Sequence, residues 1–228
     1  DPDAMLFDQC CAVSCQCETL PPLNPGAWGR FADISASDSG ALVSAYDTTY
    51  GDLVFATHGN ISGALESIEY VDGVPSSGTI VADPAGPRGG ISDPGEDVGQ
   101  HTSIATHSGI TYIAYYDVAN QSLKLAHGTS RAFETLTVDN SVGDVGRYTS
   151  ITIDSSGIVH LSYYAHRRTV TADDGSTVEV TGPMYARSTT ASPTSGDDFE
   201  IMPIEEVSSC NGMCLGEQVC VSQNGIPM

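Results

Sequence analysis

The chain is 228 residues long and carries 8 basic against 29 acidic side chains, a formal net charge of −21; that length buries a sizeable core as one large or two smaller domains. So negative a field repels phosphate backbones and anionic lipid, which excludes nucleic acid as a partner and leaves cations, basic proteins and neutral glycans. No apolar run approaches the ~20 residues of a membrane-spanning helix.

From the N-terminus, "DPDAMLFDQCC" has neither the basic start nor the apolar stretch of a signal peptide, and a chain opening on Asp reads as processed or trimmed. Residues 1–25 form a Cys-rich segment with Cys10, Cys11, Cys15 and Cys17, and residues 208–228 open another with Cys210, Cys214 and Cys220. Dense clusters around a Cys-free body predict disulfide staples formed in an oxidising compartment, hence a secreted, periplasmic or cell-surface protein. A thiolate metal cluster is the alternative, although the C-x2-C pairs of zinc knuckles are missing. An odd cysteine count leaves one thiol unpaired, which a longer parent chain would resolve.

Lys124 is the only lysine, while Gly, Ser, Thr and Tyr are abundant, a composition that builds strands and turns rather than exposed helices. Residues 26–207 read as three copies of one unit, over 26–97, 98–144 and 145–207. Each opens on a Gly-anchored phrase: "WGRFADI" from Trp28, "VGQHTSI" from Val98 and "VGRYTSI" from Val145. A Ser-Gly turn follows, then an alternating strand ending in tyrosine ("ALVSAYD", "ITYIAYYD", "IVHLSYYA"). A third strand ("DLVFAT", "SLKLAH", "PMYARS") and a fourth ("SIEYVD", "TLTVDN", "EIMPIE") complete the unit. Four short strands per repeat predict an all-β, β-propeller-like fold: three recognisable blades of a partial propeller with disulfide-rich termini. Gly29, Gly99 and Gly146 then enter equivalent innermost strands. Tyr46, Tyr116 and Tyr164 recur at one blade position and read as core or interblade contacts.

Two decorations break the period. Residues 72–97, rich in Gly and Pro, read as a long exposed loop. "RRTVTADDGSTVEVTG" alternates on both sides of Asp174-Gly175 and reads as a projecting β-hairpin.

The phrase "DVGRYTSITIDSSGIVHLSYY" resembles blades of the sialidase-like (BNR, Asp-box) propeller superfamily of secreted bacterial proteins. "SASDSGALV" and "TIDSSGIVH" echo part of the Asp-box, without its tryptophan and between the first and second strands rather than the third and fourth. The resemblance implies a propeller scaffold; a sialidase additionally needs an arginine cluster, a Tyr/Glu nucleophile pair and an acidic Asp, and activity does not follow from fold. Repeat-equivalent Arg30, Gln100 and Arg147, next to Phe31, His101 and Tyr148, are the candidate small-molecule site, a ring converging on a central funnel. The competing reading has them bonding neighbouring blades. Asp97 and Asp144 before the glycines, with Asp47 and Asp117 after the second strands, are candidate Ca2+ ligands or turn caps. Calcium is the one cofactor considered, and no catalytic residues are assigned.

Three blades fall short of the four to eight of a closed propeller, and an open stack exposes sheet edges that must be covered. The expected function is a non-enzymatic extracellular or cell-surface module, a scaffold, adhesion element or accessory subunit. Its partners would be other chains or further blades of a longer parent, with the 166–182 hairpin as the contact arm. The alternative is a sialidase-like glycan-binding protein or glycoside hydrolase whose remaining site lies on missing blades.

Overall fold

The computed structural model describes residues 20–37, 40–59, 65–171 and 175–204, which form three four-stranded antiparallel sheets. The first holds β1 (Trp28–Ser37), β2 (Gly40–Asp47), β3 (Asp52–Gly59) and β4 (Leu65–Asp72). The second holds β5 (Val98–His107), β6 (Ile110–Asp117), β7 (Ser122–Thr129) and β8 (Ala132–Asp139). The third holds β9 (Asp144–Ile153), β10 (Val159–Thr171), β11 (Thr177–Ser188) and β12 (Phe199–Pro203). Spatial order follows chain order in every sheet. Short turns enforce this: Ser108 and Gly109 both adopt positive φ, 50° and 81°, the geometry that joins twisted antiparallel strands tightly. All seven cysteines lie outside the described residues.

The sheets are blades of a partial propeller. Their first strands lie side by side, β1 against β5 and β5 against β9, and the faces of successive sheets close on one another. Because side chains alternate along a strand, each blade has a rear face toward the preceding blade and a forward face toward the next. Leu53 and Phe55 on the forward face of blade 1 pack with Val98, Ile104, Ile113 and Tyr115 of blade 2. Tyr112, Leu123 and Leu125 on the forward face of blade 2 pack with Val145, Leu161, Tyr163 and Met184 of blade 3. Strand β5, flanked on both sides, is largely buried. Strands β1 and β9, flanked on one side, are exposed at alternate positions; Ile34 is 65% and Tyr148 67% accessible.

Every innermost strand is bent in the same way. Gly29, Gly99 and Gly146 have φ of 120°, 101° and 107°, and Phe31, His101 and Tyr148, two residues on, have φ of 53°, 54° and 55°. The pairing register shifts at these points in all three blades, as it does at β-bulges, which re-aim a side chain out of the sheet plane. Here the re-aimed side chains are aromatic.

The two decorations are bound down more firmly than their composition suggests. Residues 72–97 are largely exposed, but Arg88 at their centre is buried. Its Nε donates to Asp52 at 2.5 Å and its Nη1 to the Ile91 carbonyl at 2.5 Å, and its guanidinium lies 4.1 Å from the Tyr50 ring centroid. Asp52 shares a face with Val54 and opposes Leu53, so Arg88 ties this segment to the rear face of blade 1. The hairpin extends β10 and β11, with Arg168 opposite Val180 and Val170 opposite Val178. Its root is clamped to blade 2: Arg168 Nε donates to Asp139 at 2.8 Å, and the Thr169 N–H donates to the Val142 carbonyl at 2.9 Å. A polar, turn-rich composition registers only the exposure and not the single buried cation that anchors each segment.

The two buried pairs respond oppositely to pH. Burial raises the Asp52 pKa, and the Arg88 contact offsets only part of that. Burial also opposes ionisation of Asp139, but hydrogen bonds from Ser141, Tyr163 and Arg168 outweigh it and lower the pKa. The Asp139 contribution is therefore complete above its ordinary pKa near 3.8 and is lost as pH falls through the lower folded value. The Asp52 contribution runs the other way, being lost as pH rises from that range through its raised folded pKa. Thermal melts between pH 2.5 and 6 should show a flatter acid limb for Asp139→Asn and a steeper one for Asp52→Asn.

Candidate functional site

The inner ends of the blades gather the repeated residues, and most of them join one blade to the next. Glycine is required where the strand enters the joint. A Cβ on Gly99 would stand 2.7 Å from the Leu53 Cα, and one on Gly146 would stand 2.8 Å from the Leu123 Cα; at Gly29, with no blade behind it among the described residues, nothing lies within 4 Å. The residue two before the glycine is Asp97 or Asp144. Asp97 accepts from the Tyr46 hydroxyl at 2.9 Å. Asp144 faces the Tyr116 hydroxyl and holds Arg147, whose Nε lies 3.1 and 3.0 Å from its oxygens; Arg147 Nη2 in turn donates to Tyr116 at 3.3 Å. Burial first, then Asp144, pushes the Tyr116 pKa up to about 12. Burial and Asp97 likewise raise Tyr46.

The threonine after each aromatic completes the joint. Thr102 donates to the Phe31 carbonyl at 2.7 Å, and Thr149 donates to the His101 carbonyl. Bulging the inner strand frees those carbonyls from the ladder, so the strain of positive φ is tied to a hydrogen bond across the blades. A second contact lies further out: Tyr115 donates to Asp72 at 2.6 Å and Tyr163 to Asp139 at 2.5 Å, joined by Lys124 and Arg168 respectively. The doubled tyrosine of "IAYYD" thus serves two joints, Tyr115 reaching back to Asp72 and Tyr116 forward to Asp144, while in "LSYYA" the first ring, Tyr163, reaches back to Asp139. Blade 1, with no blade behind it among the described residues, has Ala45 before Tyr46.

Of the sequence-derived ligand candidates, the structure brings three into one array. Phe31, His101 and Tyr148 stack as a ladder with ring centroids 4.4 Å apart at both steps and tilts of 50° and 58°. Burial, then the nearby Arg147 charge, lowers the His101 pKa and so favours a neutral ring at neutral pH. The polar candidates divide. Arg147 is engaged by Asp144 and Tyr116, and Gln100 faces the Tyr46 hydroxyl across the joint. Arg30 is exposed, with its guanidinium 5.3 Å from the Phe31 centroid.

Each carboxylate considered for calcium has a local partner. Asp97 and Asp144 sit in the joints, Asp47 accepts from the Thr49 N–H at 2.7 Å and from Tyr70 at 3.1 Å, and Asp117 accepts from the Asn120 N–H at 2.9 Å. Among the described residues no three His, Cys, Asp or Glu side chains converge as metal ligands. In the Asp-box-like turn, Asp154 accepts from the Ser156 and Ile158 N–H groups at 2.8 and 2.9 Å, as a turn cap does.

These features define an open stack of propeller blades locked by repeated polar joints. No protein-family model and no curated protein matches the chain. Among solved structures, the α-L-arabinanase of Cellvibrio cellulosa complexed with arabinohexaose is similar at 14% identity and a TM-score of 0.38, over 70% of this chain and 48% of that one. The chain thus spans about half the length of that protein.

Proposed function

We propose that the chain is a non-enzymatic β-propeller module, a scaffold or accessory unit of a larger extracellular or cell-surface assembly. One observation carries the reading: β5, enclosed by a blade on each side, buries Val98, Gly99, Thr102, Ser103 and Ile104, whereas β1 and β9 expose alternate residues of the same phrase. An exposed innermost strand is a surface made for a neighbour. The terminal cysteine clusters support an oxidising compartment and covalent ties to other pieces.

Native mass spectrometry of the protein from its source tests this. A particle heavier than the 23.8 kDa chain is expected, and Tyr148→Arg should reduce it to smaller species whose far-ultraviolet circular dichroism still shows folded sheets. A source-derived particle of 23.8 kDa would overturn the reading.

A second reading, a glycan-binding protein of the sialidase-like superfamily, is favoured by the aromatic ladder, which leaves Tyr148 open to solvent beside Arg147 and Arg30 open beside Phe31. Sugars stack on such rings, and guanidinium groups bind sugar carboxylates. Titration with neutral and acidic oligosaccharides should then give binding that Tyr148→Ala weakens at least tenfold. Equal affinity in both proteins would reject the ladder as a glycan site.

A further inference from the structure

The outer face of blade 3 carries half of a joint already built twice within the chain. At each internal joint the tyrosine ending the second strand, Tyr46 or Tyr116, meets an Asp two residues before the next glycine, and the next threonine donates to the bulged carbonyl of Phe31 or His101. On blade 3 the equivalent Tyr164 is 37% exposed, and its hydroxyl has no hydrogen-bond partner among the described residues. No described side chain donates to the Tyr148 carbonyl. The bulge, the aromatic ring and the tyrosine are in place, and the Asp and Thr that would answer them are not.

We propose that this face docks a fourth blade whose innermost strand carries Asp-x-Gly-x-aromatic-Thr. The proposal rests on the assembly reading above and narrows it to a partner with a legible sequence. Continuity with the two internal joints identifies the occupant, and the mismatch of the chain's own first innermost strand argues against a second copy docked head to tail. That stretch reads "AWGRFADI", with Ala27 where the Asp is needed and Ala32 where the Thr is needed. Arg88 also binds residues 72–97 to the rear face of that blade. A further demand follows from Ile204, which stands where Asp72 and Asp139 stand in the other blades and is 56% exposed. The fourth blade should therefore present an apolar side chain in place of Tyr115 or Tyr163.

The test places the photoreactive residue p-benzoylphenylalanine at position 164 in the full protein within its source, irradiates the native particle and sequences the cross-linked peptide. The expected peptide contains Asp-x-Gly-x-aromatic-Thr, and Tyr148→Arg abolishes the cross-link while the far-ultraviolet circular dichroism still shows folded sheets. A cross-link to residues 26–34 of a second copy, to a peptide lacking the phrase, or to nothing would overturn the proposal. A heavy native particle accompanying any of those results would leave the assembly reading standing, so the two can fail separately.

Discussion

Gly99→Ala is expected to destabilise the protein by about 2–5 kcal/mol, while the repeat-equivalent Gly29→Ala costs about 1–2 kcal/mol. Both substitutions force a side chain into positive φ, 101° and 120° respectively, which costs roughly 1–2 kcal/mol. Only at Gly99 does the new methyl also meet backbone, 2.7 Å from the Leu53 Cα and 2.8 Å from its nitrogen, adding an overpacking cost of about 1–3 kcal/mol. Urea unfolding of both variants measures the difference. Equal losses would mean that blade 2 does not close on blade 1 at this glycine. The same comparison bears on assembly, because Gly29→Ala should become as damaging as Gly99→Ala wherever another blade packs behind β1.

Arg168→Ala is expected to cost about 3–5 kcal/mol, since it strands the Asp139 carboxylate, whose side chain is 1% exposed, without its cation. The triple substitution Arg168→Met, Asp139→Leu and Tyr163→Phe should recover most of that loss, because well-packed apolar side chains replace a buried ion pair at little net cost once the Tyr163 hydroxyl that donates to Asp139 is removed with it. The neighbouring Arg167 provides the control. Its pair with Glu179 is 3.1 Å long but both side chains are more than half exposed, so Arg167→Ala should leave the melting midpoint unmoved. Chemical denaturation of the four proteins distinguishes a clamp on the hairpin root from a surface contact. If Arg168→Ala behaves like Arg167→Ala, the hairpin is not anchored through Asp139.

Strand alternation, Ser-Gly turns and the spacing of the Gly-anchored phrases expose all twelve strands in the sequence, because a two-residue period has one structural cause. The roles of the individual polar residues are less visible. Arg147 and Gln100 occupy equivalent positions and read as a converging ligand ring, but blade stacking turns them toward the preceding blade's tyrosine. Asp72 and Asp139 end their strands like ordinary turn residues, and only the next blade's tyrosine and cation show them to be joint acceptors. The signal was present in the contrast between "SAYD" and "AYYD": a second tyrosine appears only where a blade stands behind. Reading it required knowing which neighbours face each other.

The most direct test of the account is a double-mutant cycle on Tyr46→Phe and Asp97→Ala, read by urea denaturation. A hydroxyl donating at 2.9 Å to a carboxylate across the joint between blades 1 and 2 should give a coupling free energy of about 1 kcal/mol or more. Additivity within about 0.3 kcal/mol would contradict the claim that the repeated phrase is a joint between blades.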